Sequence, residues 1–510
     1  MKKIINLGMH PFADTFISDK HIGHTEPVYP LECVLHEDTG HIELAYTTKA
    51  EERYNLYDYS YTSANSSFSR NYWDEYAKHV SKKLNLNTSK IFEIGSNDGY
   101  LSKQFQNLGH NVIGIDSSKY MSNIANQLGI ETYCGIFNYS TSLDIKNKFG
   151  KSDLVIANNV FNHSNNPIDF AKGVNELLNE SGVFVFEVPY WYNTIIDKRF
   201  DQIYHEHVSY FTVKSCCELL KKVGLQVFDV EIVDYHGGSI RVYSSINPEQ
   251  INARIYDYIK IEEDAGLFKE STYVEFMKYL KIRRAKFLEK LYAISKKNIP
   301  IVAVGAAAKG NTFLNFYNLD NTVIDYVTDA SKHKIGKYTP LTRIPIQTDE
   351  FVFKKYKEVY VIILSWNISS ILKEKLNKLN NNVADTNLEL HSDDRGYIVD
   401  LFYNDNINHV AKIISVPNSI RGNHYHKETT QHMLITKGYL EYWYKPVDSN
   451  EPAKMVLAEE GDIISTGPYE IHALKIGPFG NEFIVFSQGL RGGKDYEQDT
   501  FRVDNIIGNI

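Results

Sequence analysis

The sequence predicts an α/β protein with two parallel sheets, the second smaller than the first, followed by an all-β carboxy-terminal domain. Three observations predict it. From Lys90 onward apolar strands alternate with amphipathic helices: KIFEIG, a helix over 100–108, NVIGID, a helix over 118–127, DLVIAN and VFVFEV. Strands separated by helices run parallel and carry helices on both faces of the sheet. A second strand–turn–helix unit opens at IVAVGAAAKGNTFLNF (301–316), continues with VIDYVTD (323–329) and closes with VYVIILSWN (359–367). After about Leu388 helical periodicity stops, and Gly-punctuated alternating stretches such as YLEYWYKP and DIISTGPYEIHALKI take over.

Length fixes how these pieces are shared out. At roughly 150 residues per domain, 510 residues make about 3.4 domains. Composition shifts place four segments: a short polar amino-terminal domain over 1–75, an α/β domain over 76–297, a second α/β domain over 298–387, and the β domain over 388–510. A long helix over about 271–297, with Phe276, Leu280, Phe287, Leu291 and Ile294 on its apolar stripe, ends before Pro300 and is expected to bridge two domains.

Composition excludes several function classes. Hydrophobic residues at 43% and charged residues at 23% are those of a globular chain, not of a disordered one. The net charge is −8, with no block of five like charges, so neither nucleic acid nor an anionic membrane is expected as a partner. No apolar run reaches about 18 residues, and MKKIINLGMHPF lacks the apolar core of a signal peptide. Four cysteines in so long a chain make no disulfide framework, which fits the cytoplasm.

The first strand–helix turn, FEIGSNDGYLSKQF, carries Glu93, Gly95, Asn97 and Gly99, and Asp116 ends the second strand. Glycines there let a ligand approach the backbone, and an acidic residue at the second strand end can accept ribose hydroxyls. The three-glycine pattern that cradles a pyrophosphate is absent. The form E-x-G-x-x-x-G resembles motif I of S-adenosylmethionine-dependent methyltransferases on a Rossmann-like sheet; a structural glycine turn in another α/β fold would read the same way.

Further on, FDQIYHEHVSYFT (200–212) packs Tyr204, His205, Glu206 and His207 together. An imidazole beside a carboxylate suits proton transfer, although a solvated polar loop would look alike. With TSANSS (62–67) after Tyr61, Asn159 and His163 in ANNVFNH, and HGGSIR (236–241), the chain over about 6–385 resembles the sugar-nucleotide C-methyltransferases that methylate C-3 or C-5 of 4-keto-6-deoxysugars. The resemblance implies a nucleotide-linked 4-keto-6-deoxysugar as substrate and S-adenosylmethionine as methyl donor. It implies His207 as base, Tyr204 and Glu206 as proton-sharing partners, and Tyr61, Asn159 and His163 facing the sugar, with Asn159 also near the cofactor. Ser63, Glu187 and Tyr190 are expected in the pocket wall. His236, Gly237, Gly238 and Arg241 read as a turn presenting amides and a cation to an anion, or else as a β-turn with a surface arginine. Lys309, near the amino end of the helix after Gly305, is expected to help hold the nucleotide.

Relatives hold zinc in the amino-terminal domain with two CxxC pairs. Here Cys33 stands alone and the second pair is replaced by His36 and Thr39, so no zinc is expected in 1–75.

In the β domain, RGNHYHKETTQHMLITKG (421–438) places His424 and His426 two apart, on one face of a strand, with Gln431 following and His472 on a later strand. This pattern resembles the cupin family, a jelly-roll barrel. With DDRGYIVDLF (393–402) and YEQDTFRV (496–503) it is similar to the cupin of bifunctional capsular-sugar epimerases and to sugar-nucleotide 3,4-ketoisomerases. The resemblance implies His424, then His426, as a base acting next to a carbonyl, with Arg421 toward substrate. His424, His426, Gln431 and His472 are candidate ligands for a divalent metal such as zinc, Gln431 being poorer than the usual carboxylate. The expected protein is a bifunctional deoxysugar enzyme, a homodimer through its cupin; the rival is a methyltransferase whose cupin only binds sugar or dimerises.

Overall fold

The computed structural model describes residues 1–49, 52–53, 67–379, 390–393, 396–399, 407–489 and 498–508. Contacts divide the chain into two compact units. The first is Met1–Val274 with Lys290–Val383, and the second is Glu275–Glu289 with Ala384–Ile510. The middle of the long helix, Glu270–Ser295, thus groups with the carboxy-terminal unit.

In the first unit, β1 (Lys2–His10), β2 (Tyr29–His36) and β3 (His41–Leu44) form an antiparallel sheet. The main sheet follows. Its strands are β4 (Lys90–Ile94), β5 (Asn111–Asp116), β6 (Thr132–Cys134), β7 (Ser152–Ile156) and β8 (Leu178–Pro189); β9 (Ser209–Tyr210) pairs instead with β3. A closing hairpin, β10 (Gln226–Val233) and β11 (Ser239–Ser245), completes an order of β10-β11-β8-β7-β4-β5-β6. Strands β4 to β8 are parallel, and β11 is antiparallel to β8.

The apolar runs are continuous because both faces are covered. Phe92, Ile113, Val155 and Phe184 enter one core, while Ile91, Val112, Leu154 and Val185 enter the other. Strand order reverses at β4, and the crevice beyond the carboxyl ends of β4 and β7 is where open α/β sheets place ligands.

The second parallel sheet is ordered β14-β13-β12-β15, from β12 (Ile301–Val304), β13 (Tyr326–Thr328), β14 (Ile346–Gln347) and β15 (Tyr360–Ile363). Both parallel sheets were legible from the alternation of apolar strands and helices. In the second unit, after the short pair β16 (Leu390–Asp393) and β17 (Gly396–Val399), five antiparallel strands gather around two long ones, β20 (Thr430–Pro446) and β23 (Glu470–Gln488). The others are β18 (His409–Ser415), β19 (Ile420–Tyr425), β21 (Lys454–Glu459), β22 (Ile463–Thr466) and β24 (Phe501–Arg502). Among the described residues no helix is long and apolar enough to cross a membrane.

Candidate active site

The turn after β4 has the shape its glycines suggest. Gly95 and Gly99 have φ of +72° and +80°, the region L side chains avoid. A Cβ on Gly95 would lie 2.1 Å from Val160 Cγ2, and one on Gly99 would lie 3.1 Å from the Ala125 Cα. Asp116 accepts the Asn97 and Ser118 amides, each at 2.8 Å. Each carboxylate oxygen keeps a lone pair for a ligand hydroxyl, so the residues present fit a nucleoside. Burial raises Asp116 above the usual carboxylate range, against those two amides. Glu93 accepts the Ser102 hydroxyl, and burial pushes its carboxyl up to about 8. Asn159, with φ of +53°, donates its amide to the Glu187 carbonyl at 2.7 Å, beside this crevice.

The motif around Tyr204 follows a short helical turn, Phe200–Gln202. His207 is buried, with Nδ1 2.9 Å from the Gln202 carbonyl oxygen and Nε2 2.6 Å from the Tyr204 hydroxyl. A carbonyl only accepts, so Nδ1 carries the proton and the Nε2 lone pair faces Tyr204. Burial lowers the His207 pKa well below its ordinary value, helped by the neighbouring His163. The His163 ring centroid is 5.3 Å from that of His207, and burial lowers His163 to about 3. Arg53 holds this segment by donating to the His163 carbonyl at 3.2 Å and to Asn165 Oδ1 at 2.7 Å. Tyr204 is only half-buried, so it is the more open member of the pair.

Several expected residues lie elsewhere. Glu206 faces Asp14, Arg53 and Lys334 rather than the His207 ring, and burial together with Asp14 raises its carboxyl. Arg241 is not a free cation for a substrate anion. On β11 it stands opposite Glu187 of β8 and Glu231 of β10. Its Nε donates to Glu187 Oε1 at 2.5 Å, and its Nη1 is 3.3 Å from Glu231. Glu187 is therefore an ion-pair partner instead of pocket wall, and it also accepts the Tyr72 hydroxyl at 2.7 Å. Tyr190 is buried as well, its hydroxyl 2.8 Å from Glu262. His236 has φ of +52°, with Gly237 and Gly238 following in the same turn. Lys309 turns inward, its Nζ 3.1 Å from the His236 carbonyl oxygen. Tyr61 and Ser63 lie outside the described residues. Sequence reasoning assigned no role to the Gln202 carbonyl, Asp201 or Trp366, although two of them stand in the motif itself.

In the second unit His424 and His472 are cross-strand partners, and His426 is two residues along β19 and its exit. All three are buried, with one potential ligand atom from each lying within 4.8 Å of the others, the only such group among the described residues. His426 Nδ1 is 2.5 Å from the Asp499 carbonyl oxygen, and its Nε2 is 2.5 Å from Gln431 Nε2. His472 Nδ1 is 3.3 Å from the Glu470 carbonyl oxygen. The Asp499 carboxylate accepts the amides of Lys427, Glu428 and Thr429, so one residue fixes both the loop and the His426 ring. Arg421 is exposed and bonds to Ser415 Oγ at 2.9 Å, away from the histidines' buried cluster.

Residues 67–230 match the family model described as methyltransferase domain, and 234–386 match the C-methyltransferase C-terminal domain. Residues 391–486 match the polysaccharide biosynthesis C-terminal domain. Over 374 residues the chain is 28% identical to the C-methyltransferase NovU of Streptomyces niveus, covering 71% of this chain and 87% of that one. Among solved structures, a S-adenosylmethionine-dependent methyltransferase from Clostridium acetobutylicum is 14% identical and covers 39% of this chain and 96% of its own, at a TM-score of 0.28. A mutant QdtA 3,4-ketoisomerase from Thermoanaerobacterium thermosaccharolyticum is 20% identical and covers 23% of this chain and 83% of its own, at a TM-score of 0.20. Residues 67–386 thus carry two adjoining matches, to a methyltransferase domain and to a C-methyltransferase C-terminal domain, and resemble a C-methyltransferase aligned across most of the chain.

Proposed function

We propose that this chain methylates a carbon, C-3 in the first instance, of a nucleotide-linked 4-keto-6-deoxyhexose. The observation that carries the reading is the Tyr204–His207 pair, whose tautomer is set by a backbone carbonyl in the same unit as the nucleoside turn. A C-4 ketone acidifies the hydrogen on the neighbouring carbon. Tyr204 meets that proton as its own passes to His207 Nε2, leaving an enolate. Held neutral by burial, His207 is ready to accept across the working pH range. Asn159 and His163 face the enolate oxygen and steady its charge. The turn after β4 and Asp116 would hold S-adenosylmethionine, which would supply an electrophilic methyl to the enolate carbon and leave as S-adenosylhomocysteine. Tyr61 and Ser63 are assigned to the sugar side by family resemblance alone.

We assign the second unit to epimerisation or isomerisation of the same keto sugar, which also begins with removal of a proton beside a carbonyl. The three buried imidazoles support this reading. A divalent cation on them would require Gln431 to release His426 Nε2, whereas proton transfer requires no such change.

The test is incubation of the full chain with S-adenosylmethionine and a panel of nucleotide-linked 4-keto-6-deoxysugars in deuterated water, read by mass and NMR. Expected are one added carbon-bound methyl and one solvent deuterium. No added methyl with any sugar removes the methyltransferase substrate; a methyl on oxygen removes the enolate.

A further inference from the structure

The second α/β sheet sits in the same compact unit as the base, and one of its side chains reaches the base's support. Gln202 accepts from His207 Nδ1 through its carbonyl, and its side-chain Nε2 donates to the His236 carbonyl oxygen at 3.1 Å. Lys309, at the start of the helix Ala308–Tyr317, donates to that same oxygen at 3.1 Å. Both lone pairs of one carbonyl are thereby taken, one by the motif that carries the base and one by the second α/β sheet's first helix. A parallel strut runs from Trp366 Nε1 to Asp201 Oδ2 at 2.6 Å. Lys309 Nζ lies 5.1 Å from the Trp366 ring centroid, and only 9% of Lys309 is exposed. A lysine so placed points into the protein.

We propose that Lys309 is a positioning residue for His207, acting through the His236 carbonyl and Gln202; the proposal rests on the reading of His207 as base. The chain Lys309–His236–Gln202–His207 fixes where the Gln202 carbonyl sits, and hence which imidazole nitrogen carries the proton and where the other aims. A shift of that carbonyl would let the ring turn and swap tautomers, which costs turnover without touching cofactor or substrate. Lys309 also places a cation near His207, as none of the other groups named around the ring among the described residues does. Of these, His163 and His236 are held neutral, and Tyr204 and Tyr210 are phenols. The lysine itself is pushed down by burial to about 8, against the pull of Asp201, and stays largely charged at neutral pH.

The experiment uses the full chain with Lys309→Met and Lys309→Arg. Lys309→Met is expected to lower kcat by about 10–100-fold, with KM for the keto sugar and S-adenosylmethionine affinity within about twofold of the parent. Loss of the cation favours protonated His207, so the acid limb of the kcat profile moves to higher pH; Lys309→Arg restores both rate and limb. A raised KM with unchanged kcat would make Lys309 a substrate contact and overturn the proposal. A lowered kcat with an unmoved limb would reduce it to packing and overturn it too. Nitrogen-15 NMR of labelled histidines reads the tautomer without turnover. A single Nδ1–H form of His207 in the parent and a mixture in Lys309→Met support the proposal even if no keto sugar is methylated; identical spectra overturn it.

Discussion

Replacing Arg241 by leucine separates a structural ion pair from a substrate anchor. The Glu187 side chain is 0% exposed and that of Arg241 is 6% exposed. Removing the guanidinium leaves Glu187 with the Tyr72 hydroxyl alone. Breaking a buried pair from one side costs about 3–5 kcal/mol. Protonating a carboxyl of ordinary pKa at pH 7 costs about 4 kcal/mol, so the variant has no cheaper escape. Burial already raises Glu187, opposed by Arg241, and without the arginine the rise is larger. A raised folded pKa gives stability that is present below the unfolded value and is lost as pH rises. The deficit of Arg241→Leu should therefore shrink by about 1.4 kcal/mol per pH unit as pH falls toward the unfolded pKa near 4.3. Urea unfolding at pH 7 and pH 5, read by the emission of Trp73 and Trp191, measures it. The double variant Glu187→Met with Arg241→Leu should recover most of the loss, because no charge then stays buried alone. Parent-like stability in Arg241→Leu, together with a raised KM for the keto sugar, would refute the ion-pair reading and restore Arg241 to the substrate.

Three further outcomes follow from the same geometry. Gly95→Ala puts an L side chain at φ of +72° with its Cβ 2.1 Å from Val160 Cγ2. The backbone cost alone is about 1–2 kcal/mol, so calorimetry should find S-adenosylmethionine binding weakened at least about tenfold, and parent-like binding would remove that turn from the cofactor site. His424→Asn should leave methyl transfer intact and abolish the second unit's deuterium uptake; unchanged uptake removes His424 from the proton transfer. Burial holds His10 and His205 at about 4 and His41 and His236 at about 3, below their ordinary value. As pH falls below about 6.5 the unfolded chain takes up protons that these rings refuse, and stability drops by about 1.4 kcal/mol per unit for each. Burial lifts Glu93 to about 8 and Glu262 to about 7, so these carboxyls add stability as pH falls toward 4.5 and stop adding below it. Stability should thus fall about twice as steeply between about pH 4.5 and 4 as between about pH 6.5 and 4.5, and level off below about pH 3; a uniform slope from pH 7 would refute the balance.

What the sequence disclosed and what it concealed divide along a physical line. The parallel strands were legible because burial on both faces makes continuous apolar runs, and the turn at Gly95 because only glycine takes that φ freely. Tyr204 and His207 were legible as a motif, and their spacing of three does bring hydroxyl and ring to 2.6 Å. The buried ion pair of Arg241 was not legible, because Gly237 and Gly238 before it suggested a hook for an anion. What decides its fate is register: β10, β11 and β8 set Glu231, Arg241 and Glu187 in a row across three strands. Pairing of strands so far apart in sequence leaves no local trace. The Gln202 carbonyl was equally hidden, since every residue has one and its use depends on where the chain turns.

The same device recurs in the second unit and, on the proposal that this unit epimerises or isomerises a keto sugar, changes the choice of base there. The Nδ1 atoms of His426 and His472 face backbone carbonyls, of Asp499 and Glu470, just as that of His207 faces Gln202. Each ring is thereby held with its Nε2 lone pair turned inward. The His426 lone pair is met by Gln431 at 2.5 Å, so that ring is positioned but engaged. His472 has the same fixed tautomer, and its ring lies 4.6 Å from that of His424. Two imidazoles at that spacing can divide the work, one taking the proton from the sugar carbon and the other returning a proton to the opposite face or a neighbouring atom. His472→Asn should then stop the second reaction as completely as His424→Asn, while His426→Asn slows it about 10–100-fold by loosening the loop that Asp499 ties down. Full second-unit turnover in His472→Asn, measured by sugar proton NMR, would return the base to His424 alone.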